Sequence, residues 1–588
     1  MMSDHPPATP SLESSTRPEV PIGTTAELLA ARGPIAVATR QAVLATLGAE
    51  AFDIVVIGGG ITGAGVAREA ALAGWRTALL ERDDFASGTS SRSSRLVHGG
   101  VRYLEHGHFA LVFESSRERR VLLDLAPHLV RPLSFTWPVY RGARVPLWKV
   151  RAGLTLYDAL ALFRNVQRHE SLNVNGVLAR EPALNPHDLV GGARYWDAAT
   201  DDARLTLASA LSAREAGAMV ANHVSVVGGL RSGAAGTRLT GVAVEDRLTG
   251  TKFTVAARVV VNATGPWSDA TAALTGASQG EQVLGSAGAH IAVPRQRLGN
   301  NDAVTIVSPI DGRVMFVLPA GAHAIVGTTE RPARRGPDEI RATEQEVEYL
   351  LRTVNACFPF AKLTMDDVIS GWSGIRPLAA ARSGTHGANA ASREHAVVHR
   401  DDGLVSVTGG KLTTYRAMAA DVLAHAMRDE TRAGGPIGAA AQVQQSDRTP
   451  LPGGDMVSRD TVVQEATTTV HDAAVGERLA LAYGTRWRNV WSYAQRDASL
   501  ARRLVADLPY IVAEVAHAVE RELACTLADV LIRRTHVAFE TRDHGRATAR
   551  RIAPLMAALL DWSDAEQTLQ VEAYDRDVTR IFTIEMLS

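Results

Sequence analysis

The segment Phe52–Gly63 runs from an apolar stretch into the pattern Gly-x-Gly-x-x-Gly, and Glu81 follows a second apolar stretch. This order predicts a strand, a tight glycine turn, a helix and a second strand that ends in an acid. Gly58 permits the turn, Gly60 lets the backbone approach a pyrophosphate, and Gly63 lets the helix pack closely on the strand. The segment therefore predicts a cradle for a dinucleotide.

The charges around this turn limit the choice of dinucleotide. The helix predicted from Ala64 to Ala73 would direct its positive N-terminal dipole and its N–H groups at the phosphates. The carboxylate of Glu81 would accept hydrogen bonds from the ribose hydroxyls and would repel an additional phosphate. We therefore expect FAD or NAD rather than NADP.

Length and composition define the class of protein only broadly. The chain has 588 residues, 46% of them hydrophobic and 21% charged, as in a soluble protein of two or three domains. A formal net charge of -1 gives no global field that would attract nucleic acid, so we expect no nucleic-acid partner. The two cysteines, Cys357 and Cys525, form no CxxC or zinc-like pattern, which argues against a disulfide and a metal site. The N-terminus has no secretory pattern and no apolar run is long enough to cross a bilayer, so we expect an intracellular protein without a transmembrane span.

Changes in composition divide the chain into regions. Residues 1–50 predict an N-terminal extension that is partly disordered, because its first part is rich in Pro, Ser and Thr. Residues 51–430 alternate strand and helix patterns, and residues 431–455, with glycine and proline at both ends, predict a linker. Residues 456–588 carry helical spacing, which predicts a separate all-α domain. Within 51–430, strands are predicted at Met219–Val227, Phe253–Asn262, Met315–Pro319, Ala324–Gly327 and Leu404–Val407.

Three further segments have the composition of ligand-binding loops. Phe85–Glu105 is dense in hydroxyls, glycines and cations, as expected of a loop that wraps an extended ligand. Val259–Trp267 is an apolar strand that ends in a turn of small residues, and Leu404–Arg416 is a strand and glycine turn that open a helix. The N–H groups and dipole of that helix could stabilise negative charge on a reduced flavin.

Four short sequences carry a family resemblance: Ser94–Glu105, Asp201–Leu205, Val260–Trp267 and Gly409–Arg416. Together with the glycine turn they resemble the FAD-dependent glycerol-3-phosphate dehydrogenases, members of a larger flavoprotein group that includes D-amino-acid oxidase. The string GGKLTTYR at Gly409–Arg416 is the most discriminating, because glycine turns occur in many flavoproteins. The resemblance runs from about Phe52 to Arg416, and Asp529–Thr535 is similar to the family's helical C-terminal region.

The resemblance implies an α/β fold with a Rossmann-like FAD-binding domain of the D-amino-acid-oxidase type, interleaved with a mixed-sheet substrate domain, plus an all-α C-terminal domain. The substrate domain, or cap, is expected at roughly 131–200 and 284–394. FAD is the expected cofactor, bound non-covalently because neither cysteine lies in a cofactor motif. The motifs place these residues at the cofactor: Gly58, Gly60, Ile61, Thr62, Gly63, Glu81, Arg82, Thr89, Ser90, Ser91, Ser94, Arg95, Leu96, His98, Gly99, Gly100, Ala263, Thr264, Gly265, Trp267, Gly409, Gly410, Lys411, Leu412 and Thr413.

The resemblance also implies a substrate that carries a phosphate and a secondary alcohol. A phosphate dianion favours arginine, and the matching motif positions for substrate binding are Arg102, Tyr103, Arg313, Arg376 and Lys411. The alternative role for any single arginine is a surface ion pair. The expected catalytic residues are His290, Arg376 and Lys411, with His290 as the base that takes the hydroxyl proton. His290 could instead be a hydrogen-bonded structural residue, and His98 is a second candidate base, expected nearer the flavin.

The activity that this family implies is oxidation of sn-glycerol-3-phosphate to dihydroxyacetone phosphate, with electrons passed through FAD to a membrane quinone. One alternative is a glycerol-3-phosphate oxidase that reduces dioxygen, and a second is an amine or amino-acid oxidase. The second would need a site for a substrate carboxylate, and Gly409–Arg416 argues against it. A third alternative is a flavin-binding sensor or scaffold without turnover.

A quinone acceptor requires contact with a bilayer. The stretch Arg141–Arg168 alternates aromatic and aliphatic residues with cations, which favours a peripheral contact at the headgroups. The alternative is a helix whose apolar face packs on the substrate domain. We expect a homodimer in the cytoplasm, associated with the inner face of the cytoplasmic membrane.

Overall fold

The computed structural model describes residues 35–161, 165–232, 238–276, 284–333, 335–378, 394–432 and 445–586. Two sheets and a set of C-terminal helices make up this part of the chain. No helix within it is long and apolar enough to span a membrane.

The first sheet carries the glycine turn. Its strands in the described residues are β1 (Ala51–Ile57), β2 (Thr77–Leu80), β7 (Met219–Ala221), β8 (Val224–Ser232), β9 (Arg238–Asp246), β10 (Lys252–Asn262), β17 (Ala396–His399) and β18 (Leu404–Thr408). Strands β18, β10, β1, β2 and β7 are parallel neighbours, so their carboxyl ends meet at one edge. Ligands bind at such an edge in open α/β sheets.

Strand β1 is apolar throughout its second half because both of its faces are covered. Ile54 and Val56 lie in one core with the helix Ile61–Leu72, whereas Val55 and Ile57 lie in a second core with residues of β8, β9 and β10. All four side chains are at most 5% exposed. This is the pattern expected of a central parallel strand.

The second sheet is mixed and forms the other wall of the site. Its described strands are β3 (Leu96–Val97), β4 (Val130–Tyr140), β5 (Glu170–Leu172), β6 (Leu189–Thr200), β11 (Leu284–Pro294), β12 (Ala303–Val307), β13 (Val314–Ala320), β14 (His323–Gly327), β15 (Arg331–Pro332) and β16 (Ser370–Leu378). Strands β4 and β12 are parallel, whereas the neighbours on either side of that pair are antiparallel. In the register of β11, His290 pairs with Gly327 on one side and with Trp372 on the other.

Helices flank both sheets and continue after the second one. The α-helices up to residue 432 are Ile35–Ala49, Ile61–Leu72, Phe109–Leu125, Leu147–Leu160, Val174–Arg180, Asp202–Glu215, Ser268–Leu274, Arg295–Leu298, Glu344–Cys357 and Tyr415–Arg432. Those of the C-terminal region are Arg459–Val470, Ala473–Tyr483, Trp487–Arg496, Val512–Arg521, Val537–Glu540, Arg546–Leu560 and Asp564–Phe582, with a π-helical turn at Asp529–Arg534.

The predicted fold class is confirmed, while some local predictions were wrong. The first helix after the glycine turn begins at Ile61 rather than Ala64, because Gly60 is its N-cap. The segment Met219–Val227 is not one strand. It breaks at His223, which has a left-handed backbone with φ of 54°. The exact domain limits stay a prediction.

Candidate active site

A cleft of about 1900 Å³ opens at the carboxyl edge of the first sheet and is closed on the far side by the second. Many residues predicted from the sequence line it. Those at the cofactor positions are Gly58, Gly60, Ile61, Thr62, Glu81, Arg82, Thr89, Ser90, Ser94, Leu96, His98, Gly100, Ala263, Thr264, Gly265, Trp267, Gly409, Gly410, Lys411, Leu412 and Thr413. Those at the substrate positions are Tyr103, His290, Arg313, Arg376 and again Lys411.

Four predicted residues that the structure describes in full are not part of this lining, namely Gly63, Ser91, Arg95 and Gly99. The side chain of Arg102 lies outside the described part of the chain. Gly63 and Gly99 instead allow close packing, since a Cβ at either position would clash with Gly58 or with Tyr157, and Ser91 is buried. Arg95 turns towards the C-terminal helices, where its guanidinium lies over the ring of Phe539.

The glycine turn has the geometry of a phosphate cradle. Gly58 has φ of 104°, and a Cβ there would lie 2.8 Å from the carbonyl oxygen of Ala263. A Cβ on Gly63 would lie 1.9 Å from the carbonyl oxygen of Gly58, so only glycine allows the helix to begin so close to the strand. Gly60 is the N-cap and provides no side-chain hydrogen bond, while the Ile61 N–H donates to Ser90 Oγ at 3.0 Å. Gly60, Ile61 and Thr62 line the cleft, so the positive end of the helix borders it. These residues fit a pyrophosphate.

Glu81 stands at the end of β2 and is 9% exposed. Its carboxylate accepts hydrogen bonds from the backbone N–H of Gly59 at 2.5 Å and of Asp83 at 2.8 Å. Burial raises the pKa of Glu81 to about 7. Hydrogen bonds from ribose hydroxyls would favour the charged form and lower that pKa, as the ribose role requires.

His290 faces the cleft from β11 and is 2% exposed. Its Nε2 atom forms a hydrogen bond of 2.8 Å with Ser94 Oγ, and its ring stacks on Trp372 with centroids 5.6 Å apart. Its Nδ1 atom is buried and has no hydrogen-bond partner within the described structure. Burial, together with the positive charges of Arg376 and Arg95, lowers the pKa of His290 to about 3, so the imidazole is neutral.

Two arginines flank this part of the cleft. Arg376 donates a hydrogen bond of 3.0 Å to Thr328 Oγ1 and lies over Gly288, where a Cβ would come within 2.8 Å of its guanidinium. Arg313 forms an ion pair of 2.9 Å with Glu330. Both guanidinium groups therefore border the same space as His290, and Arg313 is partly neutralised.

Lys411 lies on the opposite side, in the loop after β18. Its ammonium donates a hydrogen bond of 3.2 Å to Ser115 Oγ and lies 3.9 Å from the centroid of the Tyr103 ring. In the same loop the Thr413 hydroxyl accepts a hydrogen bond of 3.2 Å from the His98 backbone N–H. These contacts join the two predicted motifs, Ser94–Glu105 and Gly409–Arg416, into one wall.

Asp197 is among the groups that line the cleft and that sequence reasoning missed. Asp197 on β6 accepts hydrogen bonds from Gly99 N–H at 3.1 Å, from Tyr157 OH at 2.7 Å and from Arg119. It thereby holds the loop that carries His98. No local pattern signals this contact, because its partners come from separate elements.

Comparison with known proteins agrees with this geometry. The chain matches the family described as FAD dependent oxidoreductase over residues 53–416, and the C-terminal domain of alpha-glycerophosphate oxidase over residues 444–567. It is 36% identical to a glycerol-3-phosphate dehydrogenase of Synechocystis sp. over 542 residues, which cover 89% of this chain and 96% of that protein. Glycerol-3-phosphate dehydrogenase 2 of Mycobacterium tuberculosis is 38% identical over 553 residues, which cover 93% and 90%.

A solved structure extends this similarity to the fold. The glycerol-3-phosphate dehydrogenase from Bacillus halodurans, complexed with FAD, has a TM-score of 0.76 and 28% identity to this chain. The match covers 94% of this chain and 100% of that one.

The glycine cradle, the buried acid and the two-sheet fold define the class of protein, an FAD-dependent oxidoreductase. Within that class the identity of 36–38% over most of the chain is decisive. The chain belongs to the FAD-dependent glycerol-3-phosphate dehydrogenase family. The predicted family and the FAD cofactor are confirmed.

Proposed function

We propose that this protein oxidises sn-glycerol-3-phosphate to dihydroxyacetone phosphate and passes the electrons to a membrane quinone. The observation that carries the proposal is that Arg313, Arg376, Lys411 and a neutral His290 border the same cleft as the dinucleotide cradle. The relatives are named glycerol-3-phosphate dehydrogenases, which supports the substrate of the proposal. FAD, when bound, would accept the hydride, which carries the two electrons of the oxidation, and no side chain of the protein could do so.

The cations bind the phosphate in this proposal. Arg376 presents a planar set of donors that suits a phosphate dianion, and Thr328 holds that guanidinium in place. Lys411 adds a point charge, and its position is set by Ser115 and the ring of Tyr103. This clamp orients the alcohol carbon of the substrate, and such orientation contributes a large part of a catalysed rate enhancement.

His290 takes the proton of the substrate hydroxyl. Its low pKa comes first from burial and then from the charges of Arg376 and Arg95. A phosphate dianion bound to Arg376 in the cleft would offset the first of these charges and raise the pKa of His290. Ser94 fixes the Nε2 side of the ring. A base whose strength increases when the substrate phosphate binds would favour the correct substrate.

Substitution of Arg376 tests the substrate assignment. We expect Arg376→Met to lower kcat/KM for sn-glycerol-3-phosphate by about 10- to 100-fold, because a charge-assisted hydrogen bond contributes about 1.5–3 kcal/mol. Arg376→Lys should recover part of this loss. The matched control is Arg194→Met, an arginine of the same sheet that is ion-paired with Asp302 and does not line the cleft. Equal kcat/KM values for Arg376→Met and the wild type would exclude the phosphate role.

The quinone acceptor is the finer part of the proposal, and dioxygen is the alternative. Reoxidation of the substrate-reduced enzyme should be fast with a soluble quinone analogue and slow in air-saturated buffer. Fast reoxidation in air with stoichiometric peroxide would instead identify an oxidase. A folded, flavin-loaded protein that sn-glycerol-3-phosphate never reduces would match the sensor alternative.

The proposed membrane contact, at the inner face of the cytoplasmic membrane, is assigned to the helix Leu147–Leu160. Its Leu154 and Tyr157 side chains are at most 1% exposed and pack inward, while Trp148 is 70% and Leu156 40% exposed. The helix therefore has a packed face and a free apolar face, so the two alternatives raised by the sequence are compatible. Phe163, in the same predicted stretch, lies outside the described residues.

Flotation with anionic vesicles tests this contact. Trp148→Glu should reduce the floated fraction severalfold, because a charge replaces an aromatic anchor. The matched control is Val457→Glu, which changes a fully exposed apolar residue in the C-terminal region. Unchanged flotation of folded Trp148→Glu would remove this helix from the proposal. Whether the protein is a homodimer stays a prediction.

A further inference from the structure

The C-terminal helices contribute no residue to the described lining of the cleft, which ends in sequence at Thr413. They nevertheless contact a segment that does line it. We call residues 84–95 the cofactor loop. It follows the ribose acid Glu81 and places Thr89, Ser90 and Ser94 in the cleft. Both ends of this loop are held by side chains from the C-terminal region.

The first end is held through Asp84, which is fully buried. Its carboxylate accepts a hydrogen bond of 2.6 Å from Arg533 Nε and two from Arg534, at 2.7 and 3.0 Å. Asn222 donates a further hydrogen bond of 2.9 Å. Charge-assisted hydrogen bonds of this kind are short and strong, so the position of Asp84 is fixed.

The residues after Asp84 contact the glycine turn directly. Phe85 packs on Gly59, where a Cβ would lie 2.6 Å from the ring. Ala86 has a left-handed backbone with φ of 64° and donates its N–H to the carbonyl oxygen of Gly59 at 3.1 Å. A displacement of Asp84 would therefore reach the turn that holds the pyrophosphate.

The second end is held through Arg95, which also has a left-handed backbone, with φ of 54°. Its guanidinium lies 5.2 Å from the centroid of the Phe539 ring and donates a hydrogen bond of 3.4 Å to His536 Nδ1. His536 Nε2 in turn donates to Asp201 at 2.9 Å. Ser94, next to Arg95, is the partner of His290 in the active site.

Positive and negative charges balance each other where the C-terminal region contacts the cofactor loop. Besides the pairs to Asp84, Arg533 forms an ion pair of 2.7 Å with Asp529, which is also paired with His223 at 2.9 Å. All of these groups are buried. Removal of one partner would leave an uncompensated charge in the interior, so the loop and the helices would have to rearrange together.

We propose that the C-terminal helical region fixes the cofactor loop for FAD, with Arg533, Arg534 and His536 as positioning residues. The proposal gives a role to the segment Asp529–Thr535, which is similar to the family's C-terminal region. It concerns cofactor binding and not the proposed substrate. Because coupling between sites is reciprocal, FAD binding must also stabilise residues 529–536, although they do not line the cleft.

The affinity of the apoprotein for FAD tests the proposal, measured by quenching of flavin fluorescence. We expect Arg534→Gln and Asp84→Asn each to weaken FAD binding about tenfold or more, the scale on which supporting residues act. The matched control is Arg204→Gln. Arg204 forms an equally buried pair with Glu522 across the same contact, at 3.0 and 2.7 Å, and its described side-chain hydrogen bonds do not reach the cofactor loop. Arg534 also contacts Glu522, but it donates to the backbone carbonyl at 2.8 and 3.3 Å, a contact that Arg204→Gln leaves in place.

The control separates positioning from loss of stability. Arg204→Gln should lower the melting temperature of the apoprotein comparably but change FAD affinity by less than about threefold. An unchanged FAD affinity in Arg534→Gln, or an equal loss in Arg204→Gln, would overturn the proposal.

Hydrogen exchange of the wild type tests the same claim without a variant, in case Asp84→Asn does not fold. Backbone amides of residues 529–536 should exchange more slowly after FAD is added to the apoprotein, as should those of the cofactor loop. Slower exchange in the cofactor loop with no change at 529–536 would contradict the coupling. Neither measurement involves the substrate, so failure of this inference is distinct from failure of the proposed function.

Discussion

Gly63, the third glycine of the cradle, allows a prediction of FAD affinity whose magnitude follows from one distance. In Gly63→Ala the added Cβ would lie 1.9 Å from the carbonyl oxygen of Gly58 and 3.3 Å from the Cβ of Ala263. Since ordinary contact begins near 3.4 Å, the helix must move from the strand by about 1 Å or more. The contact is with backbone, so no side-chain rotation relieves it.

A displacement of this kind costs about 1–3 kcal/mol. If the cost falls on the conformation that binds pyrophosphate, the affinity for FAD decreases by about 5- to 150-fold, at a factor of ten per 1.4 kcal/mol. The assay is a fluorescence titration of apoprotein with FAD, combined with a thermal melt of each variant. The control is Gly153→Ala in the helix Leu147–Leu160, where a Cβ meets nothing within 4 Å.

Gly153→Ala should leave the FAD affinity unchanged and raise the free energy of unfolding by about 0.5–1 kcal/mol, the helix preference of alanine over glycine. A Gly63→Ala protein that binds FAD within about twofold of the wild type would refute the packing argument.

Three other predictions concern charge. Burial raises the pKa of Glu81 to about 7, and hydrogen bonds from the ribose should lower it, so the FAD affinity of the wild type should increase with pH up to about 7. Titrations with FAD at several pH values should show no such dependence in Glu81→Gln. The pKa of His290 is about 3 in the folded state and about 6.5 in the unfolded state, so its contribution to stability is complete above pH 6.5 and declines as the pH falls towards 3. His290→Asn should therefore remove about 2 kcal/mol of the stability that the wild type loses between pH 7 and 5. An unaltered loss in denaturant titrations would exclude this contribution. Lys411→Met should lower kcat/KM for sn-glycerol-3-phosphate, calculated per bound flavin, by about 10-fold or more. A normal value in steady-state assays would remove Lys411 from the phosphate clamp.

The cradle could be predicted from the sequence because its determinants are local. Three glycines, one apolar strand and one acid lie within about thirty residues, and each position has a steric or electrostatic reason that needs no distant partner. The helix start was placed three residues late because Gly60 caps the helix without a polar side chain. The break at His223 was missed because its cause is tertiary, since its backbone N–H donates to the carbonyl oxygen of Asp83.

The rest of the site depends on contacts that no local pattern records. Asp84 and Arg534 are 450 positions apart in the sequence, and Asp197 on β6 accepts a hydrogen bond from Gly99, which follows β3. The resemblance named His290 and Arg376, but only the structure shows that the imidazole is buried, neutral and bonded to Ser94.

The most direct test of the proposed activity is an anaerobic titration of the flavin-loaded protein with sn-glycerol-3-phosphate, followed through the visible absorption of the flavin. We predict bleaching that is complete at one equivalent of substrate per flavin, with formation of one equivalent of dihydroxyacetone phosphate. A folded protein, fully loaded with FAD, whose flavin absorption did not change would contradict the substrate assignment.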